Sequence, residues 1–240
     1  MEADAIAKAQ QAVLTRLAEI RKRIASACEE AGRDPQEVTL MAVTKTVDPA
    51  LINTAVDAGV TVLGENRVQE YLSKRDAYRR NAEVQFIGHL QTNKVRQIID
   101  GVSMIQSVDS LHLAEAIDRA AAAKGIVMPV LLEVNIGGEL SKSGVDPDGL
   151  LPLLKAASAF PHITVRGLMT IPPPETDRNA QDAVFARMKA LFDAASAEFP
   201  MDTLSMGMSG DYESAVRHGA TVVRIGSALF GARVYPQPQN

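Results

Sequence analysis

The sequence predicts a closed (β/α)8 barrel, a fold of the TIM-barrel class, and two features of the chain lead to that prediction. Eight short apolar segments rich in β-branched residues alternate with amphipathic segments that have helical periodicity. This alternation predicts a parallel sheet, and eight parallel strands are the number that closes such a barrel. The predicted strands are 38–44, 60–64, 84–88, 104–108, 129–134, 163–170, 204–208 and 222–225, and the helices lie near 48–58, 66–80, 92–99, 110–124, 147–159, 177–198, 211–218 and just after 227.

An open, doubly wound α/β sheet is the alternative fold for the same alternation. That fold binds dinucleotides through a Gly-x-Gly-x-x-Gly turn after its first strand, and no such turn follows residues 38–44. The chain has 240 residues, close to the roughly 250 of a single barrel. We therefore expect one domain over residues 1–240.

Residues 4–31 predict one long amphipathic helix before the first strand. Its apolar positions recur at spacings of three, four and seven, and they are Ile6, Val13, Leu17, Ile20, Ile24 and Cys28. We expect this stripe to pack on the barrel, so that residues 1–31 form an N-terminal helix on its outside; a dimer seam is the alternative. No second apolar seam is evident, which favours a monomer.

The composition restricts the partners of the protein. Lys and Arg total 25 and Asp and Glu 29, a net charge of −4, and aromatic residues are 4% with no Trp. This balance gives no reason to expect nucleic acid or an anionic membrane as a partner. No apolar run approaches about 18 residues, and the first residues contain no signal-peptide core, so we expect a cytoplasmic protein. The single cysteine, Cys28, excludes an intrachain disulfide and fits a reducing compartment.

Chemistry in this barrel class collects where the strands end, so polar residues at those positions are candidates for a site. Lys45 directly follows the first strand, where desolvation would favour the neutral amine that attacks a carbonyl; simple emergence into solvent is the alternative. Asn66 follows the second strand, and helix capping is the alternative to a role in the site. His89 follows the third strand, and a purely structural role is its alternative. Ser107 and Met169 are two further candidates, although Met169 is more typical of the core than of a ligand contact.

The last two strands run into turns of small residues that each open a helix, at Ser209-Gly210 and at Gly226-Ser227. Free N–H groups at such turns bind anions, and these loops are the usual phosphate site of the class; ordinary N-capping by serine is the alternative. Arg224 lies inside the apolar run 222–225, and because an arginine keeps its proton it requires a partner there.

A strand-end lysine facing a phosphate site across the barrel mouth matches a phosphorylated aldehyde, of which pyridoxal 5′-phosphate (PLP) is the commonest. The ring nitrogen of PLP would then lie opposite Arg224 as a polar partner for its side chain. An arginine at that position disfavours protonation of the nitrogen and weakens the electron-sink chemistry of many PLP enzymes. In the loop 137–144, a solvated charge is the simplest interpretation of Lys142.

Taken together, these segments resemble the YggS/PROSC family, the pyridoxal phosphate homeostasis proteins. The similarity runs from about residue 38 to 231 and is strongest at Ala42-Val43-Thr44-Lys45, Gly64-Glu65-Asn66, 86–94, Ser141-Lys142-Ser143-Gly144, Arg166-Gly167-Leu168-Met169, Met206-Gly207-Met208-Ser209 and 223–231. The resemblance implies a barrel like the N-terminal domain of alanine racemase, with PLP held as an internal aldimine on Lys45. It further implies flanking contacts from Asn66 and His89, a phosphate site at Ser209, Gly210, Gly226 and Ser227, Arg224 at the pyridine nitrogen, and a part for Lys142 in cofactor transfer.

Two positions depart from the family pattern. An aromatic residue and then His usually precede the segment 86–88, where this chain has Val84 and Gln85, which we expect to lie away from the barrel mouth. The Asp that usually follows Ser209 is displaced by one residue to Asp211. Neither change removes a residue of the expected PLP site.

The resemblance implies a binder of PLP and other B6 vitamers that acts in vitamin B6 homeostasis, without substantial turnover, and that could deliver the cofactor to PLP-dependent apo-enzymes. An amino-acid racemase of the alanine-racemase type is the alternative, and a scaffold with a partner on the N-terminal helix is a third reading. Racemisation needs a second base opposite the lysine, which is a tyrosine in alanine racemase. Of Tyr71, Tyr78, Tyr212 and Tyr235, only Tyr212 could approach the barrel mouth.

Overall fold

The computed structural model describes residues 2–138, 143–173 and 177–232, and its strands form a closed parallel barrel. The strands are β1 (Thr39–Val43), β2 (Val62–Glu65), β3 (Glu83–Phe86), β4 (Met104–Val108), β5 (Met128–Glu133), β6 (Ile163–Met169), β7 (Thr203–Met208) and β8 (Val222–Ile225). They pair in sequence order, and β8 pairs with β1, so the sheet has no free edge. The predicted (β/α)8 barrel is confirmed, and the open doubly wound alternative is wrong.

Helices alternate with the strands as the periodicity predicts. They are α1 (Glu2–Glu30), α2 (Pro49–Asp57), α3 (Val68–Lys74), α4 (Val95–Ile98), α5 (Leu111–Lys124), α6 (Pro147–Ala157), α7 (Arg178–Ser196), α8 (Tyr212–Arg217) and α9 (Ser227–Phe230). Two predicted helices are shorter than expected, because 3₁₀ turns at Arg75–Ala77 and Thr92–Lys94 take up part of their length. Ser110 starts α5 by accepting a hydrogen bond from the Leu113 N–H at 3.3 Å.

The long helix α1 packs on the outside of the barrel, against α2, α8 and α9. Five of its six predicted apolar positions are at most 5% exposed, namely Val13, Leu17, Ile20, Ile24 and Cys28. Ile6 was expected to share that stripe and is instead 46% exposed. It lies in the first part of α1, where residues 4–8 are all exposed. In the described part of the chain, no helix combines the length and the apolar character that crossing a membrane requires.

The inside of the barrel has a core of its own, separate from the layer between strands and helices. It consists of two small apolar clusters, Met41, Val43, Val62, Ile87 and Val222 in one and Met104, Leu131 and Met169 in the other. Side chains alternate between the faces of a strand, so a residue two positions from a member of these clusters also faces inward. This rule places the buried polar side chains of Gln85, Gln106, Glu133 and Arg224 inside the barrel. The Ser205 hydroxyl joins them through its hydrogen bond to Gln106.

Candidate cofactor site

A cavity of about 330 Å³ opens where the carboxyl ends of the strands meet. Seven of the ten predicted site residues line it: Lys45, Asn66, Ser209, Gly210, Arg224, Gly226 and Ser227. Its apolar wall comes from Val43, Ile87, Ile171 and Met208. A cavity of this size, with convergent polar groups on an apolar background, suits a small cofactor.

Lys45 lies half-buried in the turn between β1 and α2. The Val47 N–H donates to the Thr44 carbonyl at 3.0 Å and closes a four-residue turn with Lys45 in the second position. Thr46, in the third position, has a φ of 60°, in the left-handed region that β-branched residues rarely adopt. Lys45 therefore projects from a turn of unusual geometry and is not part of the regular strand.

The loops after β7 and β8 meet at one hydroxyl oxygen on the cavity wall. Ser209 Oγ accepts hydrogen bonds from the N–H groups of Gly226 and Ala228, both at 3.1 Å. The N–H donors are thus already grouped in one place, and rotation of the Ser209 side chain would let them and the serine hydroxyl donate together to an anion oxygen. A Cβ added at Gly210 would meet no atom within 4 Å, so this part of the wall is open.

Asp211 shapes the turn that presents Ser209. Its carboxylate accepts a hydrogen bond from the Met208 N–H at 2.5 Å, and the Asp211 N–H donates back to the Met208 carbonyl at 3.1 Å. Burial raises the pKa of Asp211, against the hydrogen bond from Met208 and the charge of Arg224. The displaced aspartate therefore fixes the turn while Ser209 remains at the cavity.

Arg224 is 3% exposed and heads a chain of buried hydrogen bonds across the barrel. Its guanidinium donates to Ser205 Oγ and to the Thr170 carbonyl, each at 2.7 Å. Ser205 Oγ donates to Gln106 Oε1 at 2.7 Å, and Gln106 Nε2 donates to Gln85 Oε1 at 2.6 Å. We call Arg224, Ser205, Gln106 and Gln85 the Arg224 chain. It fixes the guanidinium at the cavity floor and supplies the partners that a buried arginine requires.

Two carboxylates balance the charge of this arginine from a distance. Burial lowers the pKa of Arg224, and the charges of Asp211 and Glu133 act in the opposite direction, so the guanidinium stays charged at neutral pH. Glu133, at the end of β5, is 5% exposed. Burial, and after it the charge of Asp109, raise the pKa of Glu133 to about 7 against the opposing charge of Arg224. Glu133 therefore titrates in the neutral range beside the site.

Three predicted site residues do not line the cavity. The His89 ring is exposed, with Nδ1 3.7 Å from an Asp109 carboxylate oxygen. Met169 is fully buried with Met104 in the barrel interior, and Ser107 is 1% exposed. Their cofactor contacts remain predictions, and Lys142 lies outside the described residues.

Two predicted residues carry buried polar atoms without hydrogen-bond partners among the described residues, and of these only Asn66 lines the cavity. Asn66 Oδ1 and Ser107 Oγ have no hydrogen-bond partner within residues 2–138, 143–173 and 177–232. Asn66 does not cap α3, because Arg67 precedes that helix and makes no side-chain cap bond. A Cβ at Gly88 would lie 2.1 Å from the Asn66 carbonyl oxygen, so glycine is needed there for Asn66 to reach the wall.

The other three members of the Arg224 chain were not among the site residues predicted from the sequence. Gln85 was identified only as a departure from the family pattern, and Gln106 and Ser205 were given no role. The sequence nevertheless contained a signal for them. Gln85 and Gln106 are polar residues two positions from an inward apolar residue, and Ser205 is a polar residue in an otherwise apolar strand. Polar residues at inward positions of barrel strands merit attention even below the strand ends.

The fold and the cavity define a protein of the alanine racemase N-terminal-domain class, and the family model for that domain matches residues 15–234. A relative from Aquifex aeolicus is 43% identical, over 92% of this chain and 98% of the relative. A relative from Pseudomonas aeruginosa is 42% identical, over 93% and 97%. Both are named pyridoxal phosphate homeostasis protein. The chain belongs to the pyridoxal phosphate homeostasis protein family, which confirms the resemblance found in the sequence.

Solved structures agree with this assignment. PipY of Synechococcus elongatus, solved with PLP bound, has a TM-score of 0.80 and 33% identity, over 91% of this chain and 100% of that one. The alanine racemase of Clostridium difficile 630 has a TM-score of 0.73 at 17% identity, over 93% of this chain and 58% of the racemase. The second likeness shows the shared fold alone.

Proposed function

We propose that this protein binds PLP through a Schiff base on Lys45 and acts as a carrier of the cofactor in vitamin B6 homeostasis. One observation carries the proposal: a single cavity brings Lys45 together with the Ser209-Gly210 and Gly226-Ser227 turns. PLP needs an amine for its aldehyde and grouped donors for its phosphate. The names of the relatives and the PLP in the PipY structure support the assignment.

The residues around the cavity fit the remaining parts of the cofactor. Arg224, held by its chain, offers charged N–H donors to an acceptor nitrogen on the ring. Asn66 Oδ1 lines the cavity, lacks a partner among the described residues, and can accept a hydrogen bond from a polar group at the ring edge. When bound, PLP supplies an electrophilic aldehyde conjugated to an aromatic ring.

The placement of the tyrosines supports carriage over racemisation. Tyr212 is 4% exposed and lines a neighbouring cavity beside α1 and α8, on the far side of Ser209 and Gly210, which both cavities share. The Tyr71 hydroxyl donates to the Gly101 carbonyl, and the Tyr78 hydroxyl donates to Glu65. None of these three described tyrosines lines the Lys45 cavity, so none of them offers a base opposite the lysine.

The proposal is tested by titrating the purified protein with PLP, recording the absorbance, reducing with borohydride and mapping the labelled peptide. We expect a Schiff-base band that is trapped on Lys45. Lys45→Ala should fold and lose the band, while Lys155→Ala, which removes an exposed lysine on α6, should keep it. A label on another lysine, with Lys45 unlabelled, would overturn the anchor.

Carriage and turnover are separated by a second assay. The carrier proposal expects negligible alanine racemisation by the PLP-loaded protein, measured by circular dichroism over hours. Racemisation that Lys45→Ala abolishes would establish the enzyme instead. Delivery is tested by mixing the loaded protein with a PLP-dependent apo-enzyme and a trap for free PLP. Reactivation that the trap does not suppress supports direct transfer.

A further inference from the structure

The turn that carries Lys45 has a conformation that its sequence does not favour. A positive φ in the third position is the pattern of a type II turn, where Gly or Asn is usual. Here the third residue is Thr46, whose branched side chain makes a φ of 60° unfavourable. Such a conformation persists only where the surrounding structure holds it.

Two side chains of α3 supply this hold on both sides of Lys45. The Glu70 carboxylate accepts a hydrogen bond from the Thr46 N–H. Lys74 Nζ donates to the Thr44 carbonyl at 3.1 Å and to the same Glu70 oxygen at 2.5 Å. The two side chains are only 15% and 14% exposed, so solvent competes weakly for these bonds.

The charge state of this pair favours the same geometry. Burial acts to raise the pKa of Glu70, but the hydrogen bonds from Lys74 and from the Thr46 backbone outweigh it and hold that pKa below its usual value. The carboxylate therefore stays charged at neutral pH and accepts strongly from both donors.

A second carboxylate fixes Thr44 from the strand side. Glu65, at the end of β2, is fully buried and accepts a hydrogen bond from the Thr44 hydroxyl at 2.5 Å and another from the Tyr78 hydroxyl. Thr44 is thus held at its carbonyl by Lys74 and at its hydroxyl by Glu65. The residue before Lys45 has little freedom to move.

An ordinary ion pair between successive turns of a helix explains only part of this arrangement. It accounts for Glu70 with Lys74 but not for the use of both groups on the backbone of another element. Neither side chain lines the cavity, so any effect on a ligand there must pass through the turn. We propose that Glu70 and Lys74 are positioning residues that hold the strained turn and thereby aim Lys45 at the cavity. This inference rests on the proposed function, since it concerns the lysine that anchors PLP.

The test compares PLP affinity with fold stability in variants of the full chain. Glu70→Ala removes the acceptor of the Thr46 N–H, and we expect it to weaken PLP binding about tenfold, the effect of losing one charged hydrogen bond. Glu70→Gln keeps an oxygen acceptor and should lose less. Asp193→Ala is the matched control, because it breaks a helix ion pair of the same spacing, Lys189 with Asp193 at 2.6 Å, and should leave the affinity unchanged.

A rescue variant separates positioning from general stability. Glycine adopts a positive φ without strain, so Thr46→Gly should recover most of the affinity in the Glu70→Ala background and change little alone. A purely structural role predicts a lower melting temperature with unchanged PLP affinity, or no rescue, and either result overturns the proposal. If Glu70→Ala does not fold, Lys74→Met tests the same role, and the proposal expects it to weaken PLP binding. Absence of a Lys45 Schiff base in the unmutated protein would instead refute the proposed function.

Discussion

The two sides of the barrel mouth differ in how completely their polar groups are held. On the side of β7, β8 and β1, Ser209 joins two loops and Arg224 donates to two buried acceptors. On the side of β3 to β5, the His89 side chain is 61% exposed, and Ser107 Oγ has no partner among the described residues. We call these the interlocked side and the open side.

The difference indicates that the two sides of the mouth would contribute differently to ligand binding. Preorganised donors cost little further ordering when a ligand binds, so the interlocked side suits the phosphate and ring-nitrogen contacts of the proposed PLP site. Among the described residues, the open side holds fewer hydrogen bonds that would have to break if its residues moved toward a ligand. The proposed carrier role would need both tight binding and an accessible side. Substitutions on the two sides should therefore differ in their cost to stability and PLP affinity.

The largest effect is expected from Arg224→Leu on the interlocked side. This change leaves Ser205 and the Thr170 carbonyl without their donor and Glu133 without its cationic neighbour. Removing one partner of a buried charged network costs about 3–5 kcal/mol. At roughly 2–4 °C per kcal/mol for a chain of this size, the melting temperature of the cofactor-free protein should fall by about 6 °C or more.

A control for Arg224→Leu separates charge from geometry. Arg224→Lys keeps a cation but loses the planar fork that reaches two acceptors at once, so it should restore only part of the stability. PLP affinity, measured by absorbance titration, should fall in both variants. A melting temperature unchanged in Arg224→Leu would mean that the interlocked side is not held through this residue.

A smaller effect of opposite sign is expected from Glu133→Gln. The pKa of Glu133 is raised to about 7, so its stabilising contribution is complete below its usual value near 4.5 and is lost as the pH rises through 7. Glutamine resembles the protonated acid and removes this loss. Because one pKa unit is worth about 1.4 kcal/mol, the variant should gain at most about 3 kcal/mol at pH 8.

The pH dependence provides the control for Glu133→Gln. The melting temperatures of the variant and the unmutated protein should converge near pH 5 and separate progressively toward pH 8. The same scan on Glu83→Gln, an exposed residue of β3, should show no such divergence. Equal stability of Glu133→Gln and the unmutated protein at every pH would show that the carboxyl is not held in a neutral-range titration.

The sequence predicted the strands well because most of their residues are buried, in β2, β4 and β8 all of them, and each strand carries its own apolar pattern. The predicted strands 104–108 and 222–225 coincide with β4 and β8. Seven cavity residues were also predictable, because the ends of barrel strands converge at one place whatever lies between them. The position of Lys45 followed from this rule alone.

Other features depend on contacts between distant elements, which periodicity does not encode. The hydrogen bond from the Ser205 hydroxyl to Gln106 joins β7 to β4 across the barrel, and it depends on the stagger of the strands. The hold of Glu70 on the Lys45 turn depends on where α3 packs against the loop after β1. The exposed position of Ile6 reflects where the barrel ends along α1.

The smallest effect is expected from His89→Ala on the open side. The ring is exposed and its only described ionic contact is 3.7 Å from Asp109, so its loss should change stability by no more than about 0.5 kcal/mol. PLP affinity should stay within about twofold, as it should for His112→Ala, which removes an exposed histidine of α5. The resemblance to the family nevertheless implies that His89 flanks the cofactor. A tenfold loss in His89→Ala alone would show that the open side closes on PLP through this ring, and the contrast between the two sides would then hold only for the cofactor-free protein.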